Sequence, residues 1–199
     1  MADFTYDESD RHYYDEDGNQ VSRDDLRQWI LLAIAYAAGN IKRHSERLVA
    51  GKITREEWYE VVLDEIANEH TAFAAVAAGG FDQMGPGDWN RLAVILADQD
   101  DYLQNFAADI EAGLVSEAQL LARAALYAEA GFSTFENLLR QVEIDSGEPT
   151  EEVRRDVGDA SECETCVWAA SQGWQPIGTL PDIGDSECAV NCRCFFEYR

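Results

Sequence analysis

All five cysteines fall within the last 37 of 199 residues, at Cys163, Cys166, Cys188, Cys192 and Cys194; the first 162 residues have none. No other feature constrains the fold as much. An isolated apolar core rarely suffices below roughly 40 residues, so a segment this short needs a staple or a host surface. The thiols run Cys163-Glu-Thr-Cys166, then a spacer of 21 residues, then Cys188-Ala-Val-Asn-Cys192-Arg-Cys194. A CxxC turn presents two thiolates from one bend. A second group returning after about twenty residues can complete a tetrahedral Zn2+ site, as in zinc ribbons. Cys163, Cys166 and Cys188 are the expected ligands, joined by one of Cys192 or Cys194. Five candidates for four positions leave that last choice open. Two disulfides with one free thiol would staple the same loop, and unpaired reduced thiols are a third alternative. The spacer holds Gly173, Pro176, Gly178, Pro181 and Gly184, which predict a turn-rich loop with a short strand near Trp174–Ile177. Trp168 and Trp174 are expected to pack this lobe. A redox role for the CxxC is disfavoured, because no βαβ pattern surrounds it.

Charge narrows the function classes. Asp and Glu number 39 against 15 Lys and Arg, a net charge of −24. Such a chain repels a phosphate backbone and an anionic membrane surface, so neither direct nucleic-acid binding nor membrane binding is expected. The longest apolar run, Trp29–Ala38, is too short to span a bilayer, and the acidic opening MADFTYDESD does not read as a signal peptide. A reducing cytoplasm is the expected site of synthesis.

The middle of the chain reads as helices. Hydrophobic residues make up 46% of the sequence, enough for a core. Ser22 can cap a helix running through Trp29, Ile30 and Leu32 toward Leu48, with Gly39 a weak point. Thr54 and Glu57 form a capping box ahead of the stripe Trp58, Val61, Val62, Ile66 and Phe73, which ends at Gly79-Gly80. Asp88 is the expected cap of a third helix carrying Trp89, Leu92, Ile95, Leu96, Leu103, Phe106 and Ile110. Ser116 and Gln119 open a fourth, through Leu120, Leu121, Ala124 and Tyr127 toward Leu139, with Gly131 as an interruption. Trp29, Leu32, Trp58, Val62, Leu92, Ile95, Leu96, Leu103, Phe106, Leu121 and Leu126 are the expected core. Aromatics ahead of an Asp/Gly/Asn turn predict a hairpin over Tyr13–Ser22. The fold class is therefore mainly α: a helical bundle or hairpin array with an N-terminal β-hairpin and a small cysteine-rich C-terminal lobe. The expected units are an arm over 1–21, a helical body over 22–142, an acidic linker over 143–162 and the lobe over 163–199.

Catalytic signatures are missing. The sequence holds no Walker loop, dinucleotide fingerprint, nucleophile elbow or HExxH. Asp64, Glu65, Asn68, Glu69 and His70 cluster on the second helix, but no second Glu-x-x-His group answers them, so a solvated face is expected. His12 and His44 read as surface residues. No catalytic residue is assigned, and the chain is not expected to be an enzyme.

The ending Gly173-Trp-Gln-Pro-Ile-Gly-Thr-Leu-Pro181, followed by Gly184-Asp, Cys188 and Asn-Cys-Arg-Cys194, resembles the C-terminal region of minor head (head morphogenesis) proteins of tailed bacteriophages. Gly79-Gly-Phe-Asp-Gln-Met84, Asp88-Trp89, Tyr102-Leu-Gln-Asn-Phe106 and Ala122-Arg-Ala-Ala-Leu-Tyr127 look similar too, as does the opening from Tyr13 to Trp29. The resemblance implies a virion component without catalytic activity, made in the host cytoplasm. Its partners would be the major capsid, portal or neck proteins within a large assembly. A capsid cement or neck component, or a cellular zinc-stabilised acidic adaptor, are the alternatives.

Overall fold

The computed structural model describes residues 4–7, 9–10, 12–155 and 163–199. Strands β1 (Thr5–Asp7), β2 (His12–Tyr14) and β3 (Gln20–Val21) form an antiparallel meander, with Thr5 opposite Tyr14 and Tyr13 opposite Val21. The expected hairpin is present and gains a third strand. So small a sheet is marginal alone. It docks on the end of the second helix of the body, where the Tyr13 hydroxyl donates to the Ala77 carbonyl at 2.7 Å, and on the first, where Phe4 meets Trp29 edge-on at 5.4 Å. Gly79 makes that contact possible. Its φ is +84°, and a Cβ there would lie 2.3 Å from that of Tyr6.

Five helices build the body: α1 (Arg23–Val49), α2 (Arg55–Ala78), α3 (Pro86–Glu111), α4 (Glu117–Glu129) and α5 (Gly131–Ser146). Ser22, Thr54 and Ser116 each form the reciprocal capping box that their sequences predict. Gly39 does not break α1, because neighbouring packing outweighs one poor residue. The start of α3 differs from expectation. Gly85 is the cap and Pro86 the first helical residue, while the Asp88 carboxylate accepts from the Gly85 amide at 3.0 Å. Proline is pre-set for that position, so the helix begins one turn early. Gly131 divides α4 from α5 because α5 crosses close to α2: a Cβ at Gly131 would lie 2.6 Å from the Phe73 ring.

Helix α1 packs against α2 and α4, and α2 also packs against α3 and α5. Trp58 sits at the centre, donating to the Ser45 hydroxyl at 2.9 Å and meeting Phe106 edge-on at 5.8 Å. Val62, Leu92, Leu103 and Phe106 are buried as expected, and Trp29, Ile95, Leu96 and Leu121 are half-buried. Leu32 (72% exposed) and Leu126 (39%) are not in the core. Leu32 lies two residues from both Ile30 and Ile34, on the opposite side of α1 from the buried line Ile30, Ile34, Ala37 and Ile41. Trp89 is exposed at the start of α3.

The largest departure is the expected linker over 143–162. Residues 143–146 complete α5, and Glu151–Arg155 is strand β4, the centre of a second antiparallel sheet. Its neighbours are β5 (Gln175–Pro176) and β6 (Phe195–Tyr198), with Arg154 opposite Phe196. Helix α6 (Glu164–Ser171) completes the lobe. Acidic composition pointed to a solvated spacer, but Glu152 and Arg154 are fully buried because each finds a partner there. Residues 156–162 of that linker lie outside the described residues.

A candidate metal centre

The lobe is bolted to the body by buried ion pairs. Arg140 on α5 donates to Glu152 on β4 at 2.7 Å through Nε, to the Leu180 carbonyl at 2.7 Å, and also pairs with Asp182. Arg27 on α1 donates to Glu136 on α5 at 2.7 Å and to the Phe196 carbonyl at 3.2 Å. Burial pushes the Glu136 carboxyl up, and the Arg27 guanidinium opposes that shift. Asn137 forms a reciprocal pair with the Ile183 backbone, its amide donating at 2.9 Å and its oxygen accepting at 2.8 Å. This pins the loop ahead of Cys188 onto α5.

Upon this base the five cysteines converge. Cys163 is the N-cap of α6 and Cys166 lies in its first turn, so the CxxC bend is a helix start, where a partial positive charge favours thiolates. Cys188 and Cys192 bracket a short 3-10 turn over Ala189–Asn191. Ala189 there has φ +44°, the lone non-glycine residue in left-handed backbone among the described residues. Sulfur–sulfur separations are 3.4 Å for Cys166–Cys188, 3.6 Å for Cys163–Cys188 and 3.8 Å for Cys166–Cys192. A disulfide needs about 2.05 Å. All five thiols are free, so the disulfide alternative has no pair at bonding distance. A tetrahedral site with metal–sulfur bonds of about 2.3 Å has sulfur–sulfur edges of about 3.8 Å, close to these separations.

The thiols form two triads able to hold a metal ion, Cys163–Cys166–Cys188 and Cys166–Cys192–Cys194, which share Cys166. Within the first, burial opposes ionisation of Cys163, but donors from Cys166 and Cys188 outweigh it and bring the thiol down to about 6. Burial pushes Cys188 up to about 12. In the second triad the Cys194 thiol donates to Cys192 and holds it at about 4, while Cys194 itself is pushed up as that donor. The surroundings thus favour ionised sulfur at Cys163 and Cys192, the form that binds metal.

The residues expected from spacing are all in this cluster. Sequence reasoning missed Arg154, whose guanidinium lies 3.2 Å from Cys192 Sγ and 3.5 Å from Cys166 Sγ. Hydropathy assigns an arginine in Glu-Glu-Val-Arg-Arg to solvent. The sole signal was alternation, which puts Glu152 and Arg154 on one face of a strand and Val153 on the other. Trp168 is exposed and Trp174 half-buried beneath the Arg199 guanidinium, 4.4 Å from its ring.

The acidic cluster on α2 is a solvated face only in part: Asp64 and Asn68 are exposed and Glu65 is half-buried. Glu69 and His70 are buried, because this stretch of α2 faces α5: His70 Nδ1 lies 2.7 Å from the Thr134 hydroxyl. Both Glu69 oxygens and His70 Nε2 have no hydrogen-bond partner among the described residues. Burial, with the charge of Glu65 adding to it, pushes Glu69 up to about 9, and burial pushes His70 down to about 4. Both are therefore neutral near pH 7 and do not form an ion pair. His12 is exposed, and His44 is half-buried with an unpartnered Nδ1.

No protein-family profile, curated protein or solved structure matches the chain. Among the described residues, no helix is long and apolar enough to cross a membrane.

Proposed function

We propose that the protein is a structural virion component of a tailed phage: a minor head protein that binds shell or portal through its helical body, with a zinc-stapled tail and no catalytic role. One observation carries the reading. The segment that resembles minor head proteins is the segment whose thiols gather into two triads, sharing Cys166, on a buried ion-pair base. A centre of four thiolates is closed, and catalytic zinc keeps an open position, so the metal serves the fold. Zinc suits a thiolate set in a reducing compartment.

Two measurements test this reading. Metal analysis of protein purified under reducing conditions should give zinc, with thiols protected from alkylation until a chelator is added. The purified chain should bind the portal or major capsid protein encoded beside its own gene, more weakly as salt rises. Binding to neck proteins instead would favour the neck-component alternative. Binding to none of these, with tight capture by a basic cellular protein, would favour the zinc-stabilised adaptor.

A further inference from the structure

Arg154 is wholly buried, yet no carboxylate pairs with it among the described residues. Its contacts are the Pro181 carbonyl at 3.3 Å and the sulfurs of Cys166, Cys192 and Cys194, and its Nε has no partner among the described residues. A guanidinium in the interior costs several kcal/mol unless a negative charge meets it. Every other buried arginine here meets a carboxylate: Arg27 has Glu136 and Arg140 has Glu152. For Arg154 the counter-charge has to be thiolate sulfur.

We infer that Arg154 is the fixed cation of the second thiol triad, so that the centre holds one metal ion, ligated by Cys163, Cys166, Cys188 and Cys192, with Cys194 left outside it. The inference rests on the metal reading above and resolves its ligand set. Two triads sharing one sulfur have the outline of a two-metal cluster with Cys166 as bridge. A second cation in the Cys166–Cys192–Cys194 triad would stand against the guanidinium that already lies on its three sulfurs. The guanidinium thus occupies the place of a second ion. Four thiolates around a divalent cation carry −2, and the guanidinium brings the buried unit to −1. Cys163, Cys166 and Cys188 already lie within 4.8 Å of one another, and Cys192, 3.8 Å from Cys166, is the thiol placed to close on them as the fourth ligand. Each thiol still protonated releases its proton to solvent on binding. Arg154 touches no metal in this arrangement. It is a positioning residue that sets a fixed positive charge against the sulfurs of Cys166 and Cys192.

The test uses the full chain with zinc, and with cobalt as a spectroscopic substitute. Native mass spectrometry should find one metal ion per wild-type chain even in excess metal, and Cys194→Ser should keep that ion with an unchanged cobalt spectrum. Cys192→Ser should lose thiolate charge-transfer intensity. Arg154→Met should weaken zinc at least tenfold against a competing chelator and raise the pH at which half the zinc is released. Arg154→Lys, which keeps the charge, should recover most of the affinity. A purely packing role would not make charge the deciding property. Two metals per chain, a cobalt spectrum altered by Cys194→Ser but not by Cys192→Ser, or equal zinc affinity and release pH for Arg154→Met and wild type would each overturn the inference while leaving the metal reading intact. A wild-type chain that takes up neither metal would overturn both. Should Arg154→Met not fold, the cysteine variants and the wild-type stoichiometry decide the question alone.

Discussion

Glu69 shows how one side chain can set the pH response of the body. Unfolded, its carboxyl titrates near the ordinary 4.5; folded, burial keeps it protonated up to about 9. Between those values the folded chain binds the extra proton, so stability falls as pH rises through that window. His70 has the opposite sign: its folded value of about 4 lies below the ordinary 6.5, so its contribution is complete above that value and is lost as pH falls toward 4. Glu69→Gln should therefore raise the urea midpoint at about pH 8, on the order of 1–3 kcal/mol, and the gain should vanish at about pH 3, where the wild-type carboxyl is neutral in both states. Equal midpoints at both pH values would mean that Glu69 is stabilised as an anion. Gly79 gives a second prediction at this scale. An alanine there meets both a left-handed φ and the Tyr6 side chain. Gly79→Ala should destabilise by about 1–3 kcal/mol, with amide exchange accelerating first in the N-terminal sheet rather than in α3.

Among the elements, β4 depends most on long-range partners. Arg140→Met would leave Glu152 buried without its cation, a loss of about 3–5 kcal/mol, whereas Arg140→Met combined with Glu152→Leu should recover much of it. Thermal unfolding of the three chains checks this; a double variant no better than the single would show that the pair's geometry, not its charge, holds the lobe. The contrast between β4 and the helices explains what was legible in the sequence. Ser22, Thr54 and Ser116 announce their helices because each cap is a bond between residues three apart. The cysteine cluster was legible for the same reason, since ligand spacing is local on either side of the loop. Strand β4 was not, because Glu-Glu-Val-Arg-Arg becomes interior sequence only when Arg140, Cys192 and the Leu180 amide arrive from 12, 38 and 28 residues away. Glu69 and His70 failed for a related reason: their helix face is decided by α5, which sequence periodicity within α2 does not report.

Across the whole molecule the basic residues are mostly committed. Nine arginines among the described residues form ion pairs with Asp or Glu, and Arg154 faces sulfur. Lys42, Arg43, Arg47 and Lys52 are exposed without an ion-pair partner among the described residues, gathered at the C-terminal end of α1, where the helix dipole favours cations. The remaining surface is strongly acidic, which sets the expectation of a basic partner surface and of salt-sensitive docking. Removing the metal with a chelator should leave the far-ultraviolet helical signal nearly unchanged, because no cysteine lies in α1–α5, while near-ultraviolet signal from Trp168 and Trp174 is lost. Loss of the helical signal as well would mean that body and lobe unfold as one unit. The order β5-β4-β6 also has a consequence in time. During synthesis β4 emerges before either of its neighbours, and its second partner arrives only with residues 195–198. Until then Glu152 and Arg154 have no dry place to go, and the strand's backbone stays open to water or to another chain. The body can complete its local contacts first, but the lobe must wait for residues 195–198, so its assembly is the later, slower step in which errors of pairing are made.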